Sequence, residues 1–132
     1  MEPVRKHSRK RDAILSCVRA TTCHPTAEWV YNQLKPEIPD LSLGTVYRNL
    51  TMFKNDGVIE SLGTFQGLER FDGWTVPHTH LFCTQCGAVM DAGIVALPDE
   101  IYESVKQETG GEVETMRLRF YGRCPDCVKS EE

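Results

Sequence analysis

The chain has 132 residues, 40% of them apolar and 26% charged, a balance that suits one ordinary domain or two small ones with a modest core. Its net charge of −4 is uneven: residues 1–60 carry nine Lys/Arg against seven Asp/Glu, and residues 61–132 carry six against twelve. No run approaches the ~18 apolar residues of a membrane span, and no apolar signal region follows the basic start MEPVRKHSRKRD, so a cytoplasmic protein with no membrane partner is expected.

In the first eleven residues Arg5, Lys6, Arg9, Lys10 and Arg11 are opposed only by Glu2. Such a basic end is either a nucleic-acid footprint or a solvated helix start, and charge alone leaves the two level. From Ser8 to Ala20 the spacing of Ile14, Cys17 and Val18 predicts a helix with one apolar stripe. The turn 21-TTCHPT-26 leads into a second helix over 27–35, with Ala27, Val30, Tyr31 and Leu34 on one face and Pro25 suiting its entry. Pro36 and Pro39 break that helix. Ser42 then caps a third helix over 43–56, whose stripe is Leu43, Val46, Leu50 and Phe53, with Gly57 just beyond its end.

Strand-like runs over 58–62 and 68–72 flank the loop 63–67. Three helices followed by a hairpin make a winged helix-turn-helix, in which the last helix enters the major groove and the hairpin lies along the backbone. Tyr47, Arg48 and Thr51 project away from the core stripe and are the expected contacts to double-stranded DNA, with Arg48 suited to guanine or a phosphate. Periodicity by itself also allows a plain helical hairpin with ordinary surface residues.

Past the linker 73-GWTVP-77, strands are predicted over 78–82 and 88–92, joined across a CTQCG turn. A helix over 98–110 carries Ile101 and Val105 at i, i+4. The run 113–122 alternates Met116, Leu118 and Phe120 against Arg117, Arg119 and Tyr121, as a half-buried strand does. The predicted class is α+β: a winged-helix DNA-binding domain over 1–72, a hinge over 73–77, and a small α/β metal-binding domain over 78–132.

Cys83-x2-Cys86 and Cys124-x2-Cys127 are two knuckles in one domain, the arrangement of a tetrahedral structural zinc site. A thioredoxin-like redox pair fits poorly, because neither CxxC opens a helix after a strand in a βαβ unit. Cys17 and Cys23 read as ordinary thiols. Strand alternation puts His78 and His80 on one side and Leu81 and Cys83 on the other, so one metal does not easily take both pairs. Asp91, on the returning strand, is placed to join the histidines.

These motifs together resemble the ferric uptake regulator family of metal-dependent repressors over nearly the whole chain. The residues that carry the likeness are 24-HPTAEWVY-31, 45-TVYRNL-50, 69-ERFD-72, His78-x-His80-x2-Cys83-x2-Cys86-Gly87 and Gly122-x-Cys124-x2-Cys127. Residue by residue the match is to the peroxide-sensing (PerR) branch. The resemblance implies a regulatory Fe(II) or Mn(II) held by His24, Asp72, His78, His80 and Asp91, beside structural Zn(II) on Cys83, Cys86, Cys124 and Cys127. Three imidazoles and two carboxylates suit Fe(II) or Mn(II), where thiolates favour zinc.

The resemblance further implies a homodimer formed through the second domain, a palindromic operator, and derepression when His24 or His78 is oxidised. No enzymatic turnover is expected of such a sensor. The runner-up is a repressor of the same fold that senses iron or manganese level without responding to peroxide. A zinc-ribbon interaction or RNA-binding module, needing no role for His24 and Asp72, is the alternative from another class. The chain departs from its relatives near its start, where 8-SRKR-11 stands in place of a Thr-x-Gln-Arg pattern.

Overall fold

The computed structural model describes residues 8–130; the basic residues Arg5 and Lys6 lie outside the described part. The elements run α1 (Arg9–Arg19), α2 (Ala27–Leu34), α3 (Leu43–Asn55), β1 (Glu60–Phe65), β2 (Leu68–Asp72), β3 (Thr79–Cys83), β4 (Val89–Gly93), α4 (Asp99–Thr109), β5 (Arg119–Gly122) and α5 (Pro125–Lys129). They fall into two compact units, Met1–Val76 and Pro77–Glu132.

Side-chain caps start all three helices of the first unit. Ser8 accepts from the Arg11 amide, Thr26 from Trp29 and Ser42 from Thr45, each satisfying a donor that a helix start leaves open. Their apolar faces converge on Ile14, Val18, Val30, Val46 and Leu50, all fully buried, and Ile59 and Phe71 from the hairpin side close the cluster. Leu50 lies at the centre of the third helix's stripe. Leu50→Ala is therefore expected to cost about 2–5 kcal/mol of stability, read as a lower denaturation midpoint of the N-terminal unit.

The wing differs in register from its expectation. β1 starts at Glu60 and runs through Gly63 to Phe65, leaving only a tight turn at Gln66–Gly67. Pairing with β2 shifts between Ser61 and Thr64. Gly63, at φ 77°, absorbs the irregularity, which a side-chain pattern does not announce. Just beyond β2, a Cβ on Gly73 would lie 2.9 Å from the Arg19 Cα, so the backbone there passes α1 too closely for any side chain.

In the second unit β3 is central, antiparallel to β4 and parallel to β5. The strand expected over 113–122 shrinks to Arg119–Gly122, because β3 offers a partner only from His80 to Cys83. Met116 and Phe120, expected to face inward, are both 40% exposed. The tail also turns into the short helix α5, with Pro125 in its first turn.

Phe82 is fully buried, stacked on Tyr121 at 5.4 Å and covered by the Arg119 guanidinium at 5.1 Å. Beyond Phe82 and Val89, the buried apolar residues described in this unit are Cys83, Cys124 and Cys127. α4 ends on the left-handed Gly110 but buries no residue, leaving Ile101, Tyr102 and Val105 exposed. No described helix is long and apolar enough to cross a membrane.

Candidate metal centres and DNA-reading face

The two cysteine knuckles meet. One sulfur from each of Cys83, Cys86, Cys124 and Cys127 lies within 4.8 Å of the others. The Cys83–Cys127 and Cys86–Cys124 Sγ separations are 3.7 and 3.6 Å. A tetrahedron of Zn–S bonds of about 2.3 Å has edges of about 3.8 Å, so the donor set fits zinc in spacing as well as in chemistry.

Local backbone geometry builds the first knuckle. The Gly87 amide donates to the Cys83 carbonyl at 3.0 Å, with Gly87 left-handed at φ 82°, and the Cys83 amide donates to the Ala88 carbonyl at 2.8 Å. Thr84 ties this turn to the Gly122 carbonyl through its amide and its hydroxyl. The Cys86 and Cys124 amides lower the Cys83 thiol to about 6, so that it readily becomes a thiolate. The bond with the Cys124 sulfur, and then burial, push Cys127 up to about 12. A cation supplies the charge balance that lets all four sulfurs ionise.

The histidines and aspartates form a separate set of donors in each unit. In the first, His24 Nδ1 lies 3.4 Å from Asp72 Oδ2, and both residues are buried. Asp72 ends β2, and its Oδ1 accepts from the Trp74 amide at 2.9 Å. In the second unit β3 and β4 place His80 directly across from Asp91. Asp91 Oδ1 lies 3.0 Å from His78 Nε2 and 3.4 Å from His80 Nε2. The His78 and His80 rings sit 4.5 Å apart, centroid to centroid. His78, expected inside the strand, lies just before β3, and the pairing with β4 shifts between Thr79 and His80. No sulfur enters either set. Imidazole and carboxylate alone suit Fe(II) or Mn(II), by ligand hardness.

His24 has an unusual backbone. It adopts φ 53°, a left-handed conformation uncommon outside glycine. Arg70 of β2 donates from Nη1 to the carbonyls of His24 at 3.2 Å and of Cys23 at 3.4 Å. The next residue of the strand, Phe71, donates its amide to the Pro25 carbonyl at 3.0 Å. Arg70 lies inside the ERFD motif, where its residue type announces no such task, and the left-handed turn at His24 shows only in the backbone.

On α3, Tyr47, Arg48 and Thr51 are all exposed, while Val46, Leu50 and Phe53 are buried. Arg48 Nη2 donates to Thr45 Oγ1 at 3.0 Å, which holds the guanidinium near the helix start. Tyr47 donates its hydroxyl to Glu28 at 2.7 Å, and that bond holds the phenol's pKa above its ordinary value. The wing tip, 64-TFQGL-68, carries no charge. At the start of α1, Lys10 pairs with Asp40 at 3.0 Å and Arg9 bonds the Glu37 carbonyl, so part of the basic cluster is spent on pinning the 36–40 turn.

The profile of the "Ferric uptake regulator family" matches residues 4–121. The peroxide-responsive repressor PerR of Staphylococcus saprophyticus is 37% identical over 118 residues, covering 89% of this chain and 79% of that protein. The peroxide operon regulator of Bacillus subtilis is 36% identical over 122 residues, covering 92% and 83%. Among solved structures, the Helicobacter pylori ferric uptake regulator matches with a TM-score of 0.79 at 21% identity, over 96% of this chain and 85% of that one. That likeness is one of fold.

Proposed function

Since the chain belongs to the ferric uptake regulator family, we propose that it is a metal-dependent DNA-binding repressor that releases its operator when peroxide oxidises a ligand histidine. The observation that carries the reading is the sorting of donors by chemistry. All four knuckle sulfurs gather at one point, while His24–Asp72 and His78/His80–Asp91 pair with no sulfur among them. Zinc belongs to the first group as a structural staple. The five N/O donors together hold one Fe(II) or Mn(II), the set that the likeness to peroxide-responsive relatives supports.

Each donor has a distinct task. His24 and Asp72 belong to the DNA-binding unit, and His78, His80 and Asp91 to the other. A shared ion across residues 73–77 ties the units and favours one orientation of the reading helices. Tyr47, Arg48 and Thr51 then contact the two halves of a palindromic operator. A homodimer is required for that. The open apolar face of α4, with Ile101 and Val105, is a natural part of its interface. Metal and DNA must strengthen each other's binding by the same factor.

His24, Asp72, His78, His80 and Asp91 would hold the ion; bound there, Fe(II) would supply the electrons for cleaving hydrogen peroxide, and Mn(II) would occupy the same residues with little of that reactivity. Oxidation of His24 or His78 removes a nitrogen donor and with it the tie between the units. The protein is consumed in the event, so no turnover follows.

With Fe(II)-loaded protein, mild peroxide is expected to add one oxygen atom to a peptide containing His24 or His78 and to abolish operator binding. The Mn(II) form keeps both intact. Peptide mass spectrometry and fluorescence anisotropy read the two effects. Oxygen found only on cysteine, with zinc lost, would remove the histidine mechanism. An Fe(II) form indifferent to peroxide would instead favour a metal-level sensor.

A further inference from the structure

We infer that Arg70 is a positioning residue for the regulatory metal: it clamps the strained turn that presents His24, and so sets metal affinity without touching the ion. The inference rests on the reading of His24 as a ligand and extends it to a residue outside the donor set.

The left-handed backbone of His24 is costly for a side chain other than glycine, and Pro25 restricts the residue before it further. Such conformations persist only where the surroundings over-determine them, and they gather at functional sites. Here the restraint comes from one strand. Arg70 donates to the carbonyls on both sides of the His24 Cα, those of Cys23 and His24, and the Phe71 amide holds Pro25. Thr21 Oγ1 accepts from the Cys23 amide at 3.2 Å and steadies the start of the turn.

Arg70 and Asp72 stand at i, i+2 on β2, so their side chains leave the strand on the same face. One strand face thus supplies a carboxylate donor directly and the imidazole donor through a clamp. The planar guanidinium is suited to this. One terminal nitrogen reaches two carbonyls in a fixed geometry, which a single-point ammonium on a flexible stem reproduces poorly. A wing arginine is otherwise expected to meet DNA phosphate, a role that metal affinity measured without DNA does not register.

Mn(II) affinity is measured without DNA, from the free-ion paramagnetic resonance signal, on zinc-loaded full-length protein. Arg70→Gln is expected to weaken Mn(II) binding by ~10-fold or more, the scale for losing a partner that orients a ligand. Arg70→Lys falls between Gln and the parent. Far-ultraviolet circular dichroism and zinc content stay unchanged. With Co(II) in place of Mn(II), Arg70→Gln shifts the visible ligand-field bands, which loss of a phosphate contact leaves unmoved.

Because the clamp acts through His24, adding Arg70→Gln to a His24→Ala protein should cause no further loss of Mn(II) affinity. Parent-like Mn(II) affinity in Arg70→Gln, or an equal loss in the His24→Ala background, overturns the clamp. Parent-like affinity in His24→Ala alone overturns the metal reading itself, and the clamp with it.

Discussion

Cys127→Ser is expected to strip the second unit of zinc and unfold it, while the helical core of the first unit stays intact. The buried apolar residues described in residues 77–130 are Phe82, Val89 and three of the four knuckle cysteines, too few to offset the entropy of ordering more than fifty residues. Structural zinc contributes about 10–16 kcal/mol in small domains, so the staple outweighs what Phe82 and Val89 bury. It also holds α5 against the β3–β4 turn, since Cys124 and Cys127 lie on the tail and Cys83 and Cys86 on the turn. Hydrogen exchange checks this directly. Amides of Thr79–Cys83 and Val89–Gly93 should lose protection while those around Leu50 keep theirs. Full zinc occupancy with unchanged protection in Cys127→Ser would sink the staple. Chelation at neutral pH should have the same effect as the substitution.

The second large effect is expected from Asp91→Ala. Its Oδ1 lies within 3.4 Å of both His78 and His80, so its loss removes one donor and the anchor of two more. Losing only an outer partner of a ligand costs about 10–100-fold in metal affinity, so losing Asp91 should cost more than about 100-fold. Zinc content and folding should be those of the parent, because Asp91 is half-exposed and takes no part in the cysteine cluster. By reciprocity, Mn(II) should no longer tighten binding to an operator duplex selected on the parent protein. Anisotropy titrations with and without Mn(II) measure this. Retained Mn(II)-dependent DNA binding in Asp91→Ala would remove that residue from the regulatory set. Metal-independent binding equal to the parent's would favour a plain nucleic-acid module.

The contrast between these variants follows from the order in which donors come together. The cysteine knuckles are local: each pair is closed by its own turn, Gly87 for one and Pro125 for the other, so spacing in the chain announces them. The His80–Asp91 pairing is nearly as local, since one hairpin register puts the two across from each other. His24 and Asp72 are 48 positions apart, and only the packing of β2 against the 23–25 turn brings them to 3.4 Å.

Residue types and their spacing determined α1 to α4, the Ser42 cap, the α+β class and the sorting of candidate donors into sulfur and nitrogen–oxygen groups, because those depend on short-range periodicity and on ligand hardness. The folded chain decided what depends on partners distant in sequence. A glycine at 63 lengthened β1 by absorbing an irregularity, and the short β3 cut the last strand to Arg119–Gly122. Ile101 and Val105, an apolar pair like any core stripe in sequence, were left facing outward. The same holds for Arg70. Read as a residue it is an ordinary basic side chain in a wing; only the left-handed turn it holds gives it a task, and backbone strain has no signature in residue type.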